Sequence, residues 1–341
     1  MISRLNQPVG LWYYGAAFLY TAAGYVLGWI GLFQASWLIN AAAVLLLGHA
    51  MIIAAYLIHE CGHNLIFRNI KDNAKLGRAL SWLCGSSYGT YEDIRYKHFR
   101  HHVDVDDVAW FDYEQFFKDH PLALRVTRML EWFYIPAHDL IMHLIMVFTS
   151  FVIPRRRDQR RRNVTVIIIR GGIFIALLIL FPKVASLYAI AYLLMMTVLR
   201  FMDSLQHEYD YNPVLFSDDV PPHRGDRVFE QEHTFSNPHS FDHEWLNWFT
   251  LNFGFHNAHH ARPNTPWFRL PALHRELFGD DPSKVIPLWP QLVVFHRYRV
   301  RRIVGDAASA SDAEPWGRAF LDAARAAKVT GGNAASFLTP F

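Results

Sequence analysis

No Asp, Glu, Lys or Arg occurs anywhere between Leu5 and His59, a run of 55 residues. A single helical crossing of a bilayer needs only about 20 apolar residues. The run therefore holds two crossings, with helices expected over 12–33 and 36–58 and the Gln34-Ala35 turn between them. A buried helix pair in a water-soluble core is the competing reading, but such a pair does not need so long a stretch free of charge. A cleaved leader fits poorly as well, because the uncharged segment outruns the usual apolar region of a leader and the chain stays apolar beyond it.

A second apolar block covers 164–202 and is interrupted by Pro182-Lys183, so crossings are expected over 164–181 and 184–202. Directly upstream, Arg155-Arg156-Arg157-Asp158-Gln159-Arg160-Arg161-Arg162 carries six arginines in eight positions. The positive-inside tendency puts this loop on the cytoplasmic side. The segment 129–153 is long enough to cross, but with the first hairpin starting and ending inside, a crossing there would carry the arginines outside. A helix or helix pair lying in the interface plane is expected instead. The expected fold is an all-α integral membrane protein with four transmembrane helices in two hairpins and both termini cytoplasmic. A cytoplasmic helical cap would comprise 59–128 and 203–305, followed by an Ala- and Gly-rich tail, 306–341, in which no chemistry is evident.

Composition narrows the function classes. The chain has only 18% charged residues, against about 25% in an ordinary soluble domain. Lys+Arg 33 against Asp+Glu 30 leaves +3, too small an excess for a nucleic-acid binder. The two cysteines, Cys61 and Cys84, lie too far apart for a metal-binding pair, and two are too few for a disulfide scaffold.

Histidine is abundant, with 19 in the chain, and eight of them fall into three boxes. These are His59-Glu60-Cys61-Gly62-His63, His98-Phe99-Arg100-His101-His102 and His256-Asn257-Ala258-His259-His260. Spacings of i, i+3 and i+4 put the imidazoles of each box on one helix face. A single histidine is usually a satisfied core or surface residue, but three boxes together have no evident packing use. Neutral imidazole suits Zn, Cu, Fe and Ni alike, so ligand type leaves the metal open. Eight or nine imidazoles exceed a four-ligand zinc site and suit two ions with room for a small exogenous ligand. The first box begins where the second crossing ends, so the ions are expected at the cytoplasmic membrane boundary. A ligating imidazole usually donates its other N–H to a carboxylate. Asp104, Asp106, Asp107, Glu60, Asp203 and Asn257 are candidates for that supporting role, with surface charge or capping as the alternative for each.

The box order and spacing, the hydrophobic hairpin between the boxes, and the text Asn252-Phe253-Gly254-Phe255-His256-Asn257-Ala258-His259-His260 followed by Arg262-Pro263 resemble the membrane fatty acid desaturase and hydroxylase superfamily, in particular its bacterial-type acyl desaturases. The resemblance covers the chain from the first hairpin to about residue 300. It implies a di-iron centre held by His59, His63, His98, His101, His102, His256, His259 and His260, with a ninth histidine after the fourth crossing. His207, in Gln206-His207-Glu208-Tyr209, is preferred for that place over His233. It also implies an O2-dependent acyl-lipid or acyl-carrier desaturase in a bacterial inner membrane. Two Fe ions, O2 as co-substrate and two external electrons would oxidise an unactivated methylene, giving an alkene or, by the alternative outcome, an alcohol.

No haem-attachment motif, iron–sulfur cysteine set or dinucleotide fingerprint is present, so the electrons are expected from a separate ferredoxin- or cytochrome-type donor. The arginine loop is read first as a marker of the anionic cytoplasmic leaflet and second as a docking site for that donor. A di-iron hydroxylase or ketolase acting on a lipid, alkane, sterol or carotenoid is the nearest rival. A histidine-rich metal transporter is the non-enzyme alternative, although its histidines would line a path near the bilayer midplane. A membrane dihaem cytochrome would need single axial histidines on facing helices rather than His-His pairs.

Overall fold

The computed structural model describes residues 5–85, 89–209, 211–303 and 317–329. Among these the chain is helical, with isolated β-bridges and no strand. Among the described residues four helices are long and apolar enough to cross a membrane: Gly10–Leu32, Trp37–Gly62, Pro154–Leu180 and Pro182–Asp203. The chain divides into two compact units. Among the described residues, the first holds 5–94 together with Leu140–Val198, and the second holds Arg95–Asp139 and 199–329.

In the first unit, the opening hairpin follows from its small residues. Tyr14, Ala17, Thr21, Gly24, Gly28 and Gly31 recur at spacings of three and four and form the buried face of the first crossing. Small side chains let two helices approach closely where apolar burial alone gives no net attraction between them in lipid. Trp12, Leu19, Val26, Leu27 and Ile30 form the exposed side. The turn is closed by Asn40, whose Nδ2 donates to the carbonyls of Gly31 (2.8 Å), Leu32 (3.3 Å) and Gln34 (3.1 Å). The Gly31 carbonyl also accepts the Gln34 N–H (3.2 Å) and the Gln34 carbonyl the Lys183 Nζ (2.9 Å), so the chain itself satisfies this helix end. The second crossing runs on through the first histidine box instead of ending before it.

The third crossing begins inside the arginine cluster, with a 3-10 turn at Pro154–Gln159 leading into helix. Half of the cluster is structural. Arg156 pairs with Asp93 (Nη1 to Oδ1 2.8 Å), Arg160 donates from Nε to the Ser150 carbonyl (2.9 Å) and Arg162 from Nη2 to the Gly89 carbonyl (3.0 Å). Arg155, Arg157 and Arg161 are exposed. The pair with Arg156 holds the Asp93 carboxyl below the usual carboxylate range, against the opposing effect of burial. The segment over 129–153, expected as a helix or helix pair, is covered by two helices, Pro121–Trp132 and Ala137–Val152. The break falls before Pro136, which disfavours helical backbone in the residue preceding it. The first of these helices exposes Leu122, Val126, Met129 and Trp132 and buries Thr127 and Glu131.

The second unit is built of short helices tied by buried polar contacts. Arg200 pairs with Glu131 (2.6 Å) and Asp139 (3.3 Å), all three buried. Two extended segments pair antiparallel through a bridge between His207 and Thr234. Their backbones bond from Phe235 N–H to the Gln206 carbonyl (2.8 Å) and from Glu208 N–H to the His233 carbonyl (3.0 Å).

Candidate metal centre

The second box ends the helix Tyr91–Arg100 and continues through a single π turn, His101–Val105. Such turns are rare and recur at functional sites. Val105 leaves the turn at φ +56°, a left-handed conformation that a β-branched residue adopts only when its surroundings impose it. The third box sits on a six-residue helix, His256–Ala261, entered through two left-handed residues, Leu251 and Asn252. Gly254 just before it packs against Pro238, so closely that a Cβ there would lie 2.7 Å from the Pro238 Cα. A side chain at 254 would push the box away from the loop that supports it.

Seven histidines of the second unit gather in two groups. In the first, ligand atoms of His101, His207, His256 and His260 all lie within 4.8 Å of one another. His207 Nε2 is 2.9 Å from His256 Nε2 and 3.1 Å from His260 Nε2. In the second group, His102 Nε2 is 3.1 Å from both His98 Nε2 and His259 Nε2. In the first unit, His59 and His63 stand at the end of the second crossing with ring centroids 4.8 Å apart. His207 joins the first group, whereas His233 stacks on Phe229 and faces that residue's carbonyl through Nδ1 (2.9 Å).

The donor set fits a cation. Neutral imidazole has one N–H and one lone pair, and here two of the four outer nitrogens of the first group are hydrogen-bonded elsewhere. His260 Nδ1 donates to Glu230 Oε1 (2.9 Å) and His101 Nδ1 to the Asp106 carbonyl (2.7 Å), while His207 Nδ1 lies 3.8 Å from Asp107 Oδ1. With protons placed on Nδ1, the inward Nε2 atoms present lone pairs to one another at close range. That is an unfavourable arrangement among themselves and the usual one around a metal. Burial also favours the ligating form. It pushes His101 down to about 4, against the opposing bond to Asp106, and holds His207 well below its ordinary value with the neighbouring histidines adding to the effect. Both rings are neutral at pH 7, as a metal ligand must be.

The supporting candidates divide. Asp107 lies 3.5 Å from His101 Nδ1 and faces His207 as well. Asp106 acts through its backbone, and its carboxyl is pushed up to about 8 by burial and by Asp104 and Asp107. Asp104 pairs with Arg100 (2.6 Å) and Arg224 (3.4 Å), and Glu60 accepts the Tyr14 hydroxyl (2.5 Å). Asn257 bonds Ser236 and Thr234, and so fixes the third box to the segment paired with His207. Asp203 adds a favourable charge near Lys97. Glu230 was not among the sequence candidates. It is held by Arg227 (2.6 Å), meets His260, and lies 4.0 Å from His102 Nδ1. It stands 30 residues before its partner, with no motif to signal it.

Of the remaining histidines, His49 meets the Tyr20 hydroxyl (2.5 Å) within the first hairpin, and His274 packs against Phe241, Phe255 and Phe278. Seven histidines with converging ring nitrogens, six of them buried, together with four described helices long and apolar enough to cross a membrane, define an integral membrane protein of the histidine-cluster type. The sequence model described as fatty acid desaturase matches residues 35–292, and the chain belongs to that family. It is thereby an oxidoreductase acting on fatty acyl groups. No curated protein matches the chain.

Proposed function

We propose that this protein is a di-iron acyl desaturase, introducing a double bond into the chain of an acyl lipid or acyl carrier. Its metal ligands would be His59, His63, His98, His101, His102, His207, His256, His259 and His260. The observation that carries the reading is the first histidine group, whose Nε2 atoms face one another while Glu230 and the Asp106 carbonyl engage the outer nitrogens. Assignment of His59 and His63 to the same centre rests on the family's three-box pattern.

When bound, two iron ions supply redox chemistry able to oxidise an unactivated methylene with O2, which no side chain here does by acid–base or nucleophilic means. The balance is one acyl CH2–CH2 unit, O2, two electrons and two protons giving one CH=CH unit and two waters. The protein's part is placement. Glu230, Asp107 and the Asp106 carbonyl fix tautomer and ring orientation, and burial keeps the imidazoles neutral. The electrons come from a separate ferredoxin- or cytochrome-type protein. The active site and both termini face the cytoplasm of a bacterial inner membrane, on the side of the arginine cluster.

The test is expression in a host unable to make unsaturated acyl chains, followed by mass spectrometry of total acyl groups. A product two mass units lighter than the saturated chain supports the reading. A hydroxylated chain with no new double bond assigns the hydroxylase instead, and no product with iron-loaded protein and a competent donor overturns both.

A further inference from the structure

The C-terminal part of the chain, outside the region matched by the family, contains a helix at Arg318–Arg325. In sequence it lies within an Ala- and Gly-rich tail with no visible role. In the structure it is packed. Phe320, Ala324 and Val329 are buried with Leu205, Phe235, Ile286 and Val294 in one apolar cluster. The Phe320 ring stacks on Phe235 with centroids 4.9 Å apart. Arg325 Nη1 donates to the Pro282 carbonyl (2.7 Å) and also reaches the Val285 carbonyl.

Two of the residues it covers, Leu205 and Phe235, belong to the segment that carries His207 and to the segment paired with it. Leu205 and Phe235 flank the bridge between His207 and Thr234. Thr234 and Ser236, either side of Phe235, are the residues bonded by Asn257 of the third box. At the entry to the helix, the Gly317 N–H donates to Glu208 Oε2 (2.9 Å), and Glu208 is the neighbour of His207. Gly317 has φ +58° and ψ −123°, a backbone region open essentially to glycine alone, so the bond to Glu208 depends on that residue type.

We propose that the segment Gly317–Val329 is a positioning element of the metal centre, with Phe320 and Gly317 as positioning residues that hold the His207 segment and, through Thr234 and Ser236, the third box. The inference rests on the metal-centre reading above. An outer partner that orients a ligand is worth about 10-fold to 100-fold in metal affinity, and this segment holds Glu208, the chain neighbour of His207.

The test is cobalt(II) titration of the full-length purified protein, read by visible absorbance and by stoichiometry, for wild type, Phe320→Ala, Phe320→Leu, Gly317→Ala and Arg318→Ala. Wild type binds two equivalents. Phe320→Ala and Gly317→Ala are expected to weaken one of the two by at least about 10-fold and to change its absorbance, while the other equivalent and the far-ultraviolet helical signal persist. Phe320→Leu, which keeps the apolar burial, recovers most of the affinity, and exposed Arg318 is neutral. Two undiminished equivalents in both Phe320→Ala and Gly317→Ala overturn the positioning role. Parallel loss of both equivalents with loss of helical signal also overturns it, in favour of a general stability role. Absence of binding in wild type overturns the metal-centre reading itself.

Discussion

The Nδ1 of His260 donates to Glu230 Oε1 at 2.9 Å, and the same carboxylate holds Arg227 through its other oxygen. This relationship sets which nitrogen of His260 faces its neighbours. Glu230→Gln keeps the shape and removes the charge, so metal affinity is expected to fall by about 10-fold to 100-fold. Arg227→Ala, at an exposed guanidinium, should change it far less. Metal titration of the two variants side by side checks the contrast.

His207 and His233 are the two histidines that sequence alone leaves competing. His207 lies 2.9 Å from His256 and 3.1 Å from His260, whereas His233 faces the Phe229 carbonyl. His207→Ala should lower the metal bound per chain and abolish activity, and His233→Ala should leave bound metal unchanged. Elemental analysis of the purified variants distinguishes them.

Asn40 donates to three carbonyls at the end of the first crossing and is wholly buried. Asn40→Leu removes the side-chain donor from the Leu32 carbonyl and one of the donors to the Gly31 and Gln34 carbonyls, which keep the Gln34 N–H and the Lys183 ammonium, at a cost of about 1–3 kcal/mol. The expected result is a lower unfolding midpoint in detergent, with little change in the metal content of the folded fraction.

Burial among aromatic rings pushes His274 down to about 4, with Arg275 adding to the effect. Its folded value lies below the unfolded one, near 6.5. The unfolded chain therefore takes up a proton first, and stability is complete above pH 6.5 and is lost as pH falls towards 4. His138, pushed down to about 3 by burial and by Arg200, extends the same loss further into acid. His274→Phe should flatten the stability profile between pH 6.5 and 4 by an amount on the order of 3 kcal/mol. Unfolding midpoints measured across that range check it.

Much of the fold is legible because membrane physics is severe. The charge-free run through His59 has few solutions other than a hairpin, and the gap at Pro182-Lys183 divides the second hairpin equally plainly. Length and hydropathy allow a helix or a helix pair over 129–153, and the place of the break before Pro136 comes from a local steric effect. In the site, the three boxes are visible because helical spacing converts directly into a shared face. Glu230 is invisible because its partnership with His260 is made by tertiary packing across 30 residues. The helix Arg318–Arg325 is hidden for a related reason: its alanines and single phenylalanine gain meaning only against Phe235 and Leu205.

The central claim is that these histidines hold two irons. The most direct measurement is metal analysis with Mössbauer spectroscopy of protein purified from cells grown on 57Fe, wild type beside His260→Ala. The account predicts close to two irons per chain with a coupled di-iron signal in wild type, lost in the variant. Stoichiometric zinc, a haem spectrum, or an iron signal unchanged by His260→Ala would contradict it.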